Sequence, residues 1–132
     1  MHQTTTATLL VWSRAFPAVP AQVGEARQFL SAILDGHRAT GDAILCLSEL
    51  VTNATVHSRS REPGGHFSVR VQLHASQLRV DVSDQGGTWT QPDPTDERNG
   101  RGLAIVDQLA RAWGRTGNDQ IGWTIWFEME CW

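Results

Sequence analysis

A glutamate and an asparagine lie four positions apart, at Glu49 and Asn53, in the stretch CLSELVTNATVHS (residues 46–58). In a helix this spacing makes the two side chains neighbours on one face. A carboxylate and an amide oxygen in these positions can together bind a hard cation such as Mg²⁺. Alternatively, one of the two groups orients a nucleophile while the other binds the metal. An exposed polar face is the usual explanation of such a pair when it stands alone. His57, one turn further along, is interpreted as a helix-end cation or a packing group, with a catalytic role as the alternative.

A second candidate group follows an apolar strand in VDVSDQGG (residues 80–87). Asp84 ends the strand, and the glycine pair Gly86–Gly87 allows positive φ or a close approach of a ligand to the backbone. A carboxylate at a strand end can accept a hydrogen bond from an exocyclic amine, such as that of adenine. The same Asp-x-Gly sequence is also common in turns, so this motif alone is weak.

The third stretch, NGRGLAIVDQLA (residues 99–110), places Gly100 and Gly102 immediately before a predicted helix. The first N–H groups of a helix are unpaired and its N-terminus is electropositive, which favours a phosphate. Arg101 lies between the glycines and can add a charge-assisted hydrogen bond. A glycine-rich helix entry without a ligand is the alternative.

Hydrophobic periodicity predicts the elements that must position these residues. In chain order they are a strand over 7–16, a helix over 21–34, a helix from Thr40 or Asp42 to about His57, two strands around 67–73 and 78–82 joined by a hairpin at 74–77, a helix over 103–113 and a strand over 122–132. Polar loops separate them at 58–65 and 83–102. The order predicts a two-layer α/β (α+β) sandwich, with a mixed, mostly antiparallel sheet covered on one face by about three helices.

The helix that carries Glu49 and Asn53 is amphipathic. Its apolar residues fall on one broad stripe that should face the sheet: Ile44, Leu47, Leu50, Val51 and Ala54. Glu49 and Asn53 lie on a different face. Thr40 or Asp42 is expected to cap its first turn.

Composition limits the classes of protein that this chain can be. The 132 residues are expected to form one domain, residues 1–132. A composition of 40% hydrophobic and 19% charged residues is typical of a globular protein. A net charge of −3 gives no basic footprint, which argues against direct binding of nucleic acid. All 11 cationic residues are arginine, which excludes a Walker phosphate loop and Schiff-base chemistry on lysine.

Two further features concern the cellular compartment. Cys46 and Cys131 are far apart in apolar runs, so we expect buried free thiols in a reducing compartment rather than a disulfide or a zinc site. The N-terminal stretch lacks the features of a signal peptide, and no apolar run approaches the ~20 residues of a membrane span. We therefore expect a cytoplasmic protein.

The order and spacing of the three stretches resemble the N, G1 and G2 boxes of the GHKL ATPase superfamily, which has the Bergerat fold. Within it, SELVTNATVH, VDVSDQGG, GRGLAIVDQLARAWG and WTIWFEM look most like the small stand-alone domains of the anti-sigma factor serine/threonine kinases. The resemblance covers nearly the whole chain. The three boxes together are far more specific than any one of them.

The resemblance implies a role for each candidate residue. Asn53 matches the asparagine that holds the Mg²⁺ bridging the ATP phosphates, and Glu49 matches the glutamate thought to act as general base. Asp84 matches the aspartate that holds the adenine amino group, with Gly86 beside it. The turn that wraps the phosphates is matched by Gly100, Arg101, Gly102 and Leu103. The polar run from Gly87 to Asn99 matches the mobile ATP lid.

The function implied by this resemblance is transfer of the γ-phosphoryl group of ATP to a serine or threonine of an antagonist protein. Such kinases also sequester a sigma factor, usually as homodimers, without contacting nucleic acid or membrane. A non-catalytic, ATP-dependent protein-binding switch of the same fold is the main alternative. A histidine-kinase catalytic domain and an unrelated structural α/β domain are the others.

Overall fold

The computed structural model describes residues 8–57, 64–85, 100–118 and 120–131. Eight elements follow one another along the chain: β1 (Leu9–Pro17), α1 (Gln22–Ile33), α2 (Thr40–His57), β2 (His66–His74), β3 (Gln77–Ser83), α3 (Gly100–Leu109), β4 (Ala112–Asn118) and β5 (Gly122–Glu130). The strands form one sheet in the order β1-β2-β3-β5-β4, in which every neighbouring pair is antiparallel. The sandwich of a mostly antiparallel sheet and three helices is confirmed.

One face of the sheet forms the core with the helices. Alternate residues of each inner strand are buried there, as with Leu78, Val80 and Val82 of β3, while their neighbours Arg79, Asp81 and Ser83 are only half-buried. The Phe16 ring stacks on Phe67, with centroids 5.2 Å apart. None of the helices in the described ranges is both long and apolar enough to cross a membrane.

The central helix, α2, packs against α1, α3 and the strands β2, β3 and β5. The predicted apolar stripe accounts for this, because Leu47, Leu50, Val51 and Ala54 are all buried. Ile44 is half-buried at the margin of the core. Fixing α2 in the middle of the molecule fixes Glu49 and Asn53 on its remaining face.

The start of α2 differs from the predicted cap. The Thr40 hydroxyl lies 2.8 Å from the Leu34 carbonyl oxygen and 2.7 Å from that of His37. Carbonyl oxygens accept, so the hydroxyl donates its proton to the turn between α1 and α2. The residue type was anticipated, but its bond stabilises the connection rather than the helix end.

The chain after α3 was predicted incorrectly. The apolar spacing of LAIVDQLARAW predicts a helix over 103–113, but α3 spans Gly100–Leu109 and Ala112–Asn118 form β4. The Arg111 N–H donates to the Glu128 carbonyl oxygen at 2.8 Å, which starts the pairing with β5. The Trp113 Nε1–H donates to Asp107 Oδ1 at 2.8 Å and ties the new strand back to α3.

Both cysteines are buried free thiols, as predicted. Burial, followed by the negative charges of Asp42 and Glu49, raises the pKa of the Cys46 thiol to about 11. Burial also raises the pKa of Cys131. Both thiols are therefore protonated and poorly nucleophilic near neutral pH.

We expect the free energy that Cys46 contributes to folding to fall as the pH rises from about 8.5 toward 11. The unfolded thiol loses its proton near pH ~8.5, while the folded thiol retains it to about 11. The unfolded state thus binds fewer protons in this window, so stability decreases with pH. Urea unfolding of the parent and of Cys46→Ala, at about pH 8 and about pH 10, measures this difference. An advantage of the parent that does not change with pH would contradict the raised pKa.

Candidate functional site

Glu49 and Asn53 both lie on the central helix and are half-buried. Their neighbours Leu50 and Val51 point into the core, so the backbone that carries the pair cannot shift without opening the core. The Glu49 carboxylate is close enough to Cys46 for its charge to raise the pKa of that buried thiol. The two polar side chains are therefore held on a fixed stretch of backbone and are partly removed from water.

The other polar side chains of α2 are engaged within the helix. The hydroxyls of Ser48, Thr52 and Thr55 donate to carbonyl oxygens one turn earlier, at 2.7 to 2.9 Å. By contrast, neither Glu49 nor Asn53 forms a side-chain hydrogen bond within the part of the chain that the structure describes. Half-buried polar groups usually have partners, so this pair is available to a ligand.

Asp84 directly follows β3 and is held by the main chain of β5. Its N–H donates to the Trp123 carbonyl oxygen at 2.9 Å, and its Oδ1 accepts from the Trp123 N–H at 3.1 Å. The next residue is fixed as well, because Gln85 Oε1 accepts from the His66 N–H at 2.8 Å. Both the backbone and the carboxylate of Asp84 are thus oriented before any ligand arrives.

A glycine of β5 makes this position of Asp84 possible. Gly122 has φ +127°, and a Cβ on it would lie 2.4 Å from the Asp84 carbonyl oxygen. No other residue type fits there without displacing Asp84 or the strand. The sequence motifs did not indicate that Gly122 or Trp123 contacts Asp84, since only the pairing of β3 with β5 brings them together.

A positive charge also lies at this end of the sheet. The Arg115 guanidinium of β4 is 4.4 Å from the centroid of the Trp123 ring. No motif indicates Arg115, because the predicted helix over 103–113 overlaps the start of β4 and no strand is predicted there. Pairing with β5 brings this cation beside the residue that holds Asp84.

The glycines predicted to precede α3 are part of its first turn, which begins at Gly100 and includes Arg101 and Gly102. Leu103 is buried in the core at 8% exposure and anchors this turn, so a ligand there would meet its backbone. The first-turn N–H groups have no partner within the helix. The Arg101 side chain, Gly86 and the predicted lid over 87–99 lie outside the described residues.

The three candidate groups lie on elements that are in mutual contact. α2, with Glu49 and Asn53, packs on both α3 and β3, and Asp84 is the residue after β3. A half-buried base and amide, an oriented carboxylate and a helix N-terminus can together bind a nucleotide through its base and its phosphates. Within the described ranges, no three His, Cys, Asp or Glu residues cluster in a metal-binding arrangement.

Comparison with known proteins identifies the family of this chain. The sequence model of one protein family, the histidine kinase-like ATPase domain, matches residues 16–127 of this chain. Serine-protein kinase RsbW of Bacillus velezensis is 32% identical over 70% of this chain and 69% of its own. RsbW of Bacillus licheniformis is 33% identical over 71% of this chain and 62% of the relative. Anti-sigma F factor of Shouchella clausii is 24% identical over 64% of this chain and 64% of the relative. The chain thus spans roughly two thirds of these relatives' lengths, and it belongs to the histidine kinase-like ATPase domain family.

Proposed function

We propose that this protein is an ATP-dependent serine/threonine protein kinase that regulates a sigma factor. The observation that carries the proposal is the Glu49–Asn53 pair, half-buried on the central helix and without side-chain partners in the described part of the chain. Phosphoryl transfer uses a base that receives the proton of the attacking hydroxyl and a ligand that holds the metal, and this pair can supply both. A pair kept only for solubility would be more exposed.

Nucleotide recognition is assigned to Asp84. Its carboxylate would accept a hydrogen bond from the exocyclic amine of adenine, with Gly86 beside the base. Guanine has a carbonyl oxygen at the corresponding position, and a carboxylate would face it with like polarity. A buried polar group left unpaired costs ~1–3 kcal/mol, so ATP should be strongly preferred over GTP.

The phosphates are assigned to the start of α3 and to a Mg²⁺ ion. The unpaired N–H groups of the turn formed by Gly100, Arg101, Gly102 and Leu103 would face the phosphate oxygens. The amide oxygen of Asn53 is a suitable hard ligand for Mg²⁺, and it is not engaged in the described part of the chain. When bound, the ion neutralises charge on the phosphate oxygens.

Glu49 is assigned as the general base. In the transfer step its carboxylate takes the proton of a substrate serine or threonine hydroxyl, the hydroxyl oxygen bonds to the γ-phosphorus, and the bond to the bridging oxygen of ADP breaks. Because the hydroxyl arrives only with the docked partner, hydrolysis of ATP by the protein alone should be slow.

The partners are assigned by similarity. Two relatives are named serine-protein kinases and the third an anti-sigma factor. We propose that this protein phosphorylates an antagonist protein and sequesters a sigma factor, and that it acts as a cytoplasmic homodimer.

A labelling experiment tests the function directly. The purified protein captures partners from its native cytoplasm with and without Mg-ATP, and each captured protein is then incubated with γ-labelled ATP. We expect one partner to become labelled on serine or threonine. Tight, ATP-dependent capture with no labelling of any partner would contradict the kinase and favour the non-catalytic switch.

A further inference from the structure

Three side chains form a row across one end of the sheet, one on β4, one on β5 and one directly after β3. Ser83 pairs with Thr124, so the next residue, Asp84, stands opposite Trp123. Arg115 of β4 lies diagonally across from Trp123, and its guanidinium is 4.4 Å from the centroid of that ring. Diagonal neighbours on two strands are within reach of aromatic and long side chains. The row therefore connects an exposed arginine to the carboxylate assigned to the adenine amine.

The backbone around Trp123 has few constraints of its own. The residue before it is Gly122, at φ +127°, and its register partner on β4 is Gly117, at φ +112°. Glycine is the residue with the greatest backbone freedom, and Gly117 offers no side chain to pack on the indole. The orientation of the Trp123 peptide thus depends on what holds its side chain.

Arg115 holds this side chain from the face of the sheet that carries the helices. It pairs with the buried Ile125, two residues after Trp123, so all three side chains project from the same face. A guanidinium stacked on an indole is attracted to the π face of the ring. Trp123 is only half-buried, so part of its ring lies outside the core, where this stack can fix it.

The main chain of Trp123 makes both bonds that orient Asp84. Its carbonyl oxygen accepts from the Asp84 N–H at 2.9 Å, and its N–H donates to Asp84 Oδ1 at 3.1 Å. A rotation of the Trp123 peptide would redirect that N–H and the carboxylate with it. We infer that Arg115 is a positioning residue of the base subsite, which holds the Trp123 ring and thereby the peptide that orients Asp84. The inference rests on the proposed function, since it concerns the selection of adenine.

Nucleotide binding by Arg115→Ala, measured by calorimetry, tests this role. Without the stack, binding must itself order the Trp123 peptide, so ATP affinity should fall about 3- to 10-fold, within the range of a partly desolvated cation–π contact. Adenosine, ADP and ATP should lose affinity by the same factor, because the change concerns the base. The preference for ATP over GTP should fall as well. A loss that grows with the number of phosphates would instead make Arg115 a phosphate contact and overturn the assignment.

Two further variants show whether the stack itself is responsible. Arg115→Tyr has no charge but keeps a planar group against the indole, and should bind ATP within about 2-fold of the parent. Arg79→Ala removes a stack of the same kind, since the Arg79 guanidinium lies 4.4 Å from the centroid of the Trp126 ring of β5. Trp126 pairs with Asp81 and not with Asp84, so this variant should keep the ATP-to-GTP ratio. A tyrosine variant as weak as Arg115→Ala, or an equal loss in Arg79→Ala, would overturn the assignment.

Hydrogen exchange in the nucleotide-free protein separates this inference from the proposed function. The Trp123 amide proton should exchange about 3- to 10-fold faster in Arg115→Ala than in the parent, because the same stack is lost, and at the parent rate in Arg79→Ala. Unchanged exchange in Arg115→Ala, when the parent binds Mg-ATP, contradicts the role of Arg115 and leaves the kinase intact. Faster exchange, when the parent binds no nucleotide, supports the connection from Arg115 to Asp84 and contradicts the kinase.

Discussion

Glu49→Gln should bind Mg-ATP as tightly as the parent and transfer phosphate to the partner about 10²–10⁴-fold more slowly, the usual contribution of a general base. Glutamine keeps the shape and a hydrogen-bonding oxygen but cannot take the hydroxyl proton. The half-buried position of Glu49 accommodates glutamine without strain, since the two side chains have nearly the same volume. Single-turnover transfer at saturating ATP measures the chemical step, and calorimetry measures the binding.

Asn53→Ala is the matched comparison on the same helix face. It removes the proposed metal ligand, so Mg²⁺-dependent binding and transfer should weaken together. The two variants therefore have different signatures, one confined to the chemical step and one shared by binding and transfer. Unchanged transfer by Glu49→Gln would keep the kinase and remove Glu49 from its mechanism. No transfer by the parent to a tightly bound partner would favour the switch.

The helix that carries this pair could be predicted from the sequence because two signals coincide. The apolar stripe of Leu47, Leu50, Val51 and Ala54 has the period of a helix, and that stripe alone determines which face is left for Glu49 and Asn53. The hairpin between β2 and β3 was predicted for a similar reason, since strict alternation over both strands indicates one buried face. In each case the local pattern and the tertiary environment require the same structure.

The outermost strand of the sheet, β4, could not be predicted in this way. β4 contains Gly114 and Gly117 and lacks apolar alternation, so its own sequence does not favour a strand. It forms because β5 offers an unpaired edge, beginning with the bond from Arg111 to Glu128. Leu109 and Trp113 have helical spacing but lie on different elements. An edge strand determined by its neighbour leaves no periodic signal.

The support of Asp84 was missed for the same physical reason. The motif around Asp84 indicates a carboxylate at a strand end, but the N–H that fixes it belongs to Trp123, 39 residues further along the chain. Gly122 likewise appears in the sequence only as the first residue of the strand predicted over 122–132. Its role depends on the distance from its Cα to the Asp84 backbone, which only the folded sheet defines.

Gly122→Ala should therefore weaken ATP binding and reduce the preference for ATP over GTP, even though the residue would not touch the nucleotide. The new Cβ would lie 2.4 Å from the Asp84 carbonyl oxygen, at a φ of +127° that L-residues rarely adopt. Asp84 must move, and its carboxylate loses the orientation needed for the adenine amine. Loss of that bond predicts about a 10-fold or greater fall in ATP affinity. Calorimetry with ATP and GTP gives both affinities.

Two alanine controls separate the loss of Asp84 geometry from a general loss of stability. A Cβ on Gly114 would lie 2.9 Å from the Trp126 ring, so Gly114→Ala should strain the same hairpin without displacing Asp84. Gly24 is exposed in α1, and beyond its own stretch of helix no atom of the described residues lies within 4 Å of a new Cβ, so Gly24→Ala should stabilise the helix by about 0.5–1 kcal/mol. Both should keep the ATP affinity and the ATP-to-GTP ratio at a temperature where all the variants are folded. If Gly122→Ala keeps that ratio too, or if Gly114→Ala loses it, the strand β5 does not select the base through Asp84.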